Sequence, residues 1–162
     1  MPPFFKRKVD KMISDVIHIG ITVSSIESSI RFYRDVLGLS LVGRATMRGK
    51  ETDLLFGREG ITANLAYLKG EGSLASPPIE LIEFIPSESC KERKQDLFSP
   101  SISEVCFRTD DIEKEYLRLK EKGVEFLSSP QFFDFRSYGM GKSKAVYFKD
   151  IDGTILELIE IV

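Results

Sequence analysis

The chain has 162 residues, of which 42% are hydrophobic and 30% are charged, and its net charge is −2 at pH 7. This composition is ordinary for a globular protein of one domain, or of two small units packed together. The mixed charges give no basis for nucleic acid binding, and no apolar stretch reaches the ~20 residues of a membrane span. The two cysteines, Cys90 and Cys106, form no disulfide framework and are typical of a reducing, cytoplasmic setting.

The first predicted element is a strand over residues 16–23, where apolar side chains alternate with others. Its isoleucines share one face, so His18 lies on the opposite face. A helix should follow, because Ser24 and Glu27 are spaced as in a capping box and Gly38 supplies a left-handed stop. Further strands are then predicted over residues 39–46, 52–58, 61–69 and 79–85.

The second half repeats this order of elements. A strand that contains Glu104 precedes a helix that begins in the phrase Asp110-Asp-Ile-Glu113 and ends at Gly123. Strands are predicted after this helix over residues 124–127, 144–149 and 154–161.

Residues 131–144 form a long segment that contains two glycines and three cations. As a lid over a site, this segment would bind an anionic substrate through Arg136, Lys142 or Lys144. A twisted hairpin with solvated lysines is the alternative interpretation.

The two halves are copies of one another. Glu104 follows His18 by 86 residues, and Ile112 follows Ile26 by the same number. Each copy also ends in one phrase, Ile79-Glu-Leu-Ile-Glu in the first and Leu156-Glu-Leu-Ile-Glu in the second. Such a duplication predicts a pseudo-symmetric fold, and matched polar residues predict one site shared between the halves. The matched residues are His18, Glu80, Glu104 and Glu157.

The alternation of each last strand separates its two glutamates. Glu80 and Glu157 lie opposite the helix-facing neighbours and should project inward, whereas Glu83 and Glu160 share the helix-facing parity and suit exposed strand ends. A carboxylate between apolar neighbours is costly to bury without a partner. A divalent ion would be such a partner.

Several phrases together resemble the vicinal oxygen chelate superfamily, the fold of glyoxalases, bleomycin resistance proteins and extradiol dioxygenases. They are His18-Ile-Gly-Ile, Phe32-Tyr-Arg-Asp-Val-Leu-Gly-Leu39, Ile79-Glu-Leu and Asp152-Gly-Thr-Ile-Leu-Glu-Leu158. The motif style is nearest to lactoylglutathione lyase and methylmalonyl-CoA epimerase. The resemblance implies an α+β fold in which two βαβββ modules form a half-open β-barrel with helices outside. The corresponding divisions are an N-terminal arm at 1–14, a first module at 15–86, a charged linker at 87–100 and a second module at 101–162.

In that superfamily two residues of each copy hold a metal ion, which assigns His18, Glu80, Glu104 and Glu157 to one divalent ion per chain. Many members have histidine where this chain has Glu104. One neutral histidine and three carboxylates around a divalent ion sum to a charge of −1, which favours Mn²⁺ or Mg²⁺, while the imidazole keeps Zn²⁺, Ni²⁺ and Co²⁺ in the set. Crowded carboxylates also raise one another's pKa, so one of them can carry a proton.

The expected function is a metal-dependent lyase or isomerase, such as an epimerase, acting on a small oxygenated carbonyl substrate. One glutamate among Glu80, Glu157 and Glu104 would remove the proton next to the carbonyl, the metal would stabilise the enediolate, and a second glutamate would return the proton. The alternative is a metal-free protein that sequesters a drug or other small molecule. An extradiol-type dioxygenase fits less well, because its metal needs two histidines. We expect a cytoplasmic homodimer that binds neither nucleic acid nor membranes.

Overall fold

The structure is a computed structural model that describes residues 16–72, 76–86, 97–98 and 100–162. The predicted arm at 1–14 lies outside the described residues, as does most of the predicted linker at 87–100. No helix in these described ranges is both long and apolar enough to cross a membrane.

The first half of the chain forms one four-stranded sheet, which we call sheet A, with the strand order β1-β4-β3-β2. Strand β1 pairs in parallel with β4, and the other two pairings are antiparallel. Its helix α1 continues into a π-helical turn at Phe32–Val36, and a second helix, α2, joins β2 to β3. The elements are β1 Ile19–Thr22, α1 Ile26–Arg31, β2 Ser40–Arg48, α2 Lys50–Phe56, β3 Thr62–Lys69 and β4 Ile79–Ile85.

The second half forms an equivalent sheet, sheet B, with the strand order β5-β8-β7-β6 and the same pattern of parallel and antiparallel pairs. A 3₁₀ turn at Arg136–Tyr138 joins β6 to β7, so the segment 131–144 is a hairpin. The elements are β5 Val105–Arg108, α3 Ile112–Glu121, β6 Gln131–Asp134, β7 Lys142–Lys149 and β8 Ile155–Ile161. Two βαβββ units with mixed sheets confirm the predicted α+β fold.

Two strand predictions were wrong. Residues 52–58 lie mostly in helix α2, which is bracketed by Gly49 and Gly57, both at positive φ. Thr52 is buried, and four residues later Phe56 packs edge-on against Phe84 with ring centroids 5.0 Å apart. The buried contacts therefore recur at helical spacing. The strand prediction for residues 52–58 was wrong because a short apolar run is ambiguous between strand and helix.

The second wrong strand is residues 124–127, where only Phe126 forms a β-bridge, to Phe148. The backbone there makes two hydrogen bonds to the end of β7, from Leu127 N to Tyr147 O and from Lys149 N to Glu125 O. The chain then passes through Pro130 to β6. This stretch therefore runs along β7 for too short a distance to form a strand.

Both helices begin one residue later than the predicted capping box. The cap of α1 is Ser25, whose hydroxyl accepts from Ser28 N, and the cap of α3 is Asp111, which accepts from Lys114 N. Ser24 instead bonds to Asp152 of the second half through both its backbone N–H and its hydroxyl. The predicted stops are confirmed, because Gly38 and Gly123 have φ values of 82° and 83°.

Glu83 and Glu160 are not exposed strand ends. Each is half-buried, and its carboxylate accepts a hydrogen bond from the first backbone N–H of the adjacent helix, Glu83 from Ile26 at 3.2 Å and Glu160 from Ile112 at 2.8 Å. These N–H groups have no partner within their own helices, and a negative charge suits that end of a helix. The second glutamate of each repeated phrase thus accepts a hydrogen bond from the N-terminus of a helix, in addition to the bond made by the capping residue.

The two halves share one core and a polar contact. Tyr33, which is fully buried, donates a hydrogen bond of 2.8 Å from its hydroxyl to Asp150 in the turn between β7 and β8. The other oxygen of Asp150 accepts from the backbone N–H groups of Asp152 and Thr154. Residues of both sheets and of α1 and α3 belong to the same cluster of buried apolar side chains. The helix side of each sheet therefore faces the interior of the molecule.

A buried hydroxyl in α1 gives a test of this packing. Ser29 is fully buried, and its Oγ has no hydrogen-bond partner in the part of the chain that the structure describes. Ser29→Ala removes an unsatisfied polar atom and improves helix propensity, so the free energy of unfolding should rise by about 1 kcal/mol. Urea denaturation measures this change. Ser28→Ala is the matched control, because its hydroxyl accepts from Arg31; a gain in Ser28→Ala equal to that in Ser29→Ala would contradict the explanation.

Asp150 gives a prediction about pH. Burial raises the pKa of Asp150 above its ordinary value of 3.8, and the hydrogen bonds from Tyr33 and Thr154 only partly offset this effect. Folding thus favours the protonated form, so the contribution of Asp150 to stability is complete below about pH 3.9 and is lost as the pH rises through its folded-state pKa. The stability of Asp150→Asn relative to the parent should therefore increase between pH 4 and pH 7 in urea unfolding. A difference that is constant, or that falls with pH, would refute this assignment.

Candidate functional site

Each sheet presents a glutamate on its central strand, on the face away from the helices. In sheet A, Glu80 of β4 is in register with Gly20 of β1 on one side and with Tyr67 of β3 on the other. In sheet B, Glu157 of β8 is in register with Cys106 of β5 and Tyr147 of β7. Side chains in register on neighbouring strands share a face, so the repeat builds the same frame twice. We call these faces the open faces.

The first half-site consists of His18, Tyr67 and Glu80. Glu80 is only 7% exposed, yet both of its oxygens are engaged. Oε2 lies 3.1 Å from Nε2 of His18, and Oε1 accepts a hydrogen bond of 2.5 Å from the Tyr67 hydroxyl. This hydrogen bond is the leading cause that raises the pKa of Tyr67, followed by burial and the Glu80 charge. The partners explain how a charged group between isoleucine and leucine is tolerated in a buried position.

The second half-site consists of Glu104, Cys106, Tyr147 and Glu157. Burial raises the pKa of Glu157, a hydrogen bond from the Cys106 thiol opposes this shift, and the charge of Glu104 adds to it. Burial and the same hydrogen bond raise the pKa of Cys106 to about 12, so its thiol is protonated at neutral pH. The pKa of Tyr147 is raised by burial first and then by the charges of Glu157 and Glu104. This half-site is negatively charged and has fewer fixed donors than the first.

The four residues predicted as metal ligands are thus placed as two pairs. His18 contacts Glu80, and Glu104 interacts with Glu157 through its charge. Across the described ranges, no three histidine, cysteine, aspartate or glutamate side chains are grouped so that they could hold a metal ion. The four-residue ligand set therefore stays a prediction, and a complete set requires the two pairs to be brought together.

Two of the three cations predicted to bind substrate, Arg136 and Lys144, have other partners. Arg136 forms a two-pronged ion pair with Asp134, which also lowers the pKa of that aspartate. Lys144 is in register with Glu160 on the helix side of sheet B and lies 3.4 Å from Glu113 of α3. Lys142, at the start of β7, is half-buried. The structure does not bring Arg136 or Lys144 to Glu157, and substrate binding by the three cations stays a prediction.

The tyrosines of the two half-sites were missed at the level of sequence. Tyr67 lies in the phrase Ala66-Tyr-Leu-Lys69 and Tyr147 in Val146-Tyr-Phe-Lys149, which are separated by 80 residues. The separation between these two phrases differs from the separations of the other matched positions, because the connecting loops of the two halves differ in length. Aligning β3 with β7 through that phrase would have found both residues.

Two pseudo-symmetric βαβββ modules, each with a polar cluster on its open face, are the arrangement of the superfamily that the sequence motifs resemble. The family comparison gives the same result, since a model of the glyoxalase/bleomycin resistance protein/dioxygenase superfamily matches residues 15–158. The chain belongs to this superfamily.

Several individual proteins are similar to the chain over nearly its whole length. A virulence protein of Salmonella typhimurium is 25% identical over 158 residues, which cover 95% of the chain and 89% of that protein. Metallothiol transferase FosB of Staphylococcus epidermidis is 30% identical over 147 residues, covering 91% and 84% respectively.

Solved structures with less sequence identity show the same fold. A glyoxalase family protein of Bacillus cereus has a TM-score of 0.78 at 21% identity, with 95% of this chain and 98% of the other covered. An antibiotic-binding protein of Streptomyces has a TM-score of 0.57 at 23% identity, covering 93% and 98%. This fold thus occurs both in a protein named as a transferase and in one named as an antibiotic-binding protein, and the fold alone does not choose between such functions.

The separation of the two half-sites can be tested through the tyrosine pKa values. Glu80→Gln removes the charge beside Tyr67, so the pKa of Tyr67 should fall towards 10 while that of Tyr147 changes less. Glu157→Gln should lower the pKa of Tyr147 and spare Tyr67. Titration of ¹³C-labelled tyrosine by NMR resolves the individual rings. Equal shifts of both tyrosines in either variant would show that the glutamates belong to one cluster within a chain.

Proposed function

We propose that the protein is a divalent-metal-dependent lyase or isomerase that acts on a small oxygenated carbonyl compound. The observation that carries the proposal is the pair formed by His18 and the buried Glu80, with Nε2 and Oε2 only 3.1 Å apart on an open face. An imidazole nitrogen and a buried carboxylate are first-row metal ligands, and the matched position in sheet B adds two further carboxylates. A metal is also consistent with the relatives that are named metallothiol transferase.

The donor set fits one ion only when both pairs contribute. His18 and Glu80 would hold it from sheet A, and Glu104 and Glu157 from sheet B. When bound, the ion supplies the positive charge that stabilises an oxyanion developing on the substrate. One nitrogen and up to three carboxylates form an oxygen-rich set, which favours Mn²⁺ or Mg²⁺ and is compatible with Zn²⁺, Ni²⁺ or Co²⁺.

The two central glutamates have different roles in this proposal. Tyr67 and His18 hold the carboxylate of Glu80 in place, so Glu80 is suited to the role of a metal ligand. Glu157 is half-buried, has the Cys106 thiol as its hydrogen-bonded partner and has a raised pKa. A carboxylate whose pKa is shifted towards neutrality takes up and returns a proton more readily. Glu157 is therefore the group that would remove the proton next to the substrate carbonyl, with Glu104 beside it as the second carboxylate.

The complete site would form between two copies of the chain in a homodimer. The open faces belong to separate sheets of the chain, and each carries two of the four residues predicted as metal ligands. Pairing sheet A of one copy with sheet B of the other would join His18 and Glu80 to the partner copy's second-module glutamates. A two-fold dimer of this kind would contain two such sites.

Metal content and hydrogen exchange test this function together. The parent should bind about one divalent ion per chain, and His18→Ala should lose it, since even changes outside the ligand shell cost about tenfold or more in affinity. In deuterated buffer the enzyme should exchange the α-hydrogen of a 2-hydroxy carbonyl substrate. Glu157→Gln should suppress exchange by about 10²–10⁴-fold with metal retained, whereas Glu80→Gln should lose both. Metal retention by His18→Ala, or turnover without exchange, would contradict the proposal.

Mixing two inactive variants tests the shared site. His18→Ala and Glu157→Ala each damage every site of their own homodimers, but a mixed dimer regains one site in which all four ligands are intact. An equal mixture after subunit exchange should therefore recover about a quarter of the parent's α-hydrogen exchange activity. No recovery, despite proven exchange of subunits, would place the site within a single chain.

A second candidate, a metal-free protein that sequesters a small molecule, is favoured by one specific feature of sheet B. Phe133 is in register with Ser143 and so shares the open face with Tyr147 and Glu157. Its ring stacks on Phe135 with centroids 5.7 Å apart and an angle of 7°, and both rings are partly exposed. Such a surface suits planar apolar ligands. Metal titration separates the two functions.

A further inference from the structure

A cavity of about 560 Å³ lies where the two modules meet, and strands β1 and β5 both contribute to it. None of His18, Glu80, Glu104 and Glu157 lines the cavity; Cys106 is the one residue of the half-sites that does, among those the structure describes. The apolar part of the walls comes from both modules. It includes Ile19, Leu68 and Ile79 from sheet A and Val105, Phe107 and Leu158 from sheet B.

The charged residues that line the cavity are two cations, Lys69 and Arg108, and two carboxylates, Asp110 and Glu115. Lys69 is exposed and has no carboxylate partner within the described ranges. Arg108 lies 3.7 Å from Asp110, whose side chain is 96% exposed and therefore mostly hydrated. Glu115 also lines the cavity, but Arg118 binds both of its oxygens. The remaining charges, two cations and the solvated Asp110, favour an anion at the rim.

We propose that this cavity is a second ligand site, which binds an amphipathic monocarboxylate with a medium-length hydrocarbon chain. The volume falls within the range of about 300–1,000 Å³ found for small-molecule sites, and apolar walls with a few placed polar groups are their usual lining. The hydrocarbon chain would lie between the two modules, and the carboxylate would bind Arg108 and Lys69. Because residues of both modules form the walls, the ligand would also stabilise their contact.

Isothermal titration with decanoate tests the proposal, with decyltrimethylammonium as a ligand of opposite charge and similar chain length. Both are used below their micelle concentrations. Decanoate should bind at least about tenfold more tightly than the cation and should raise the melting temperature. Arg108→Met and Lys69→Met should each weaken decanoate binding by about three- to tenfold, because each removes a charge-assisted contact but keeps a long apolar stem. Arg48→Met and Lys114→Met, which change exposed cations that do not line the cavity, should leave decanoate binding unchanged.

The outcome is independent of the proposed metal site. His18→Ala should bind decanoate as the parent does, so a failure of the metal chemistry leaves this inference standing, and the reverse also holds. Equal binding of the two amphiphiles would mean that exposed apolar surface alone attracts them, which overturns the proposal. Absence of decanoate binding to the parent, or equal affinities in the cavity variants and the two matched controls, would overturn it as well.

Discussion

The alternation of side chains along β4 and β8 is the constraint on which the rest of the structure depends. Each central strand carries two glutamates three residues apart, so they must point to opposite faces. Glu80 and Glu157 reach the open faces, and Glu83 and Glu160 reach the first turn of a helix. A shift of register by one residue would put the leucines on the open face and leave both helix ends without their carboxylates. The same strand therefore fixes the helix position and the candidate site.

This constraint explains why the fold was readable from the sequence and the site only in part. The repeat and the period-two alternation predicted the faces of His18, Glu80 and Glu157 without any knowledge of tertiary contacts. The helix-capping role of Glu83 and Glu160 needed the position of each helix over its sheet, which no local pattern supplies. Helix α2 was misread because its contacts, from Thr52 and Phe56, form on packing against the sheet. Tyr67 and Tyr147 were missed because their offset in the repeat differs from that of the first strands, as the connecting loops differ in length.

The two modules have diverged at the positions beside their central glutamates. Gly20 in β1 corresponds to Cys106 in β5, and His18 corresponds to Glu104. In sheet A the substitutions leave Glu80 with two hydrogen-bonding partners and little exposure. In sheet B they place a second carboxylate and a weakly donating thiol beside Glu157. A symmetric backbone thus presents one glutamate that is well satisfied by hydrogen bonds and one that is poorly satisfied, and the proposed roles of Glu80 and Glu157 rest on this difference.

The contact between modules determines which surfaces remain available. The helix sides share one core, and Tyr33, Asp150 and the Ser24–Asp152 pair hold the first helix against the turn between β7 and β8. Within the described ranges, the contact between modules does not involve the open faces. The side chain of His18 is 43% exposed. An imidazole tolerates this exposure, but the ligands of a completed metal site are normally shielded from solvent. A second copy that covered this face would remove that exposure and add the two missing carboxylates in the same step. Assembly and site formation would then be one equilibrium, so that metal binding would favour the dimer and dilution would weaken metal binding.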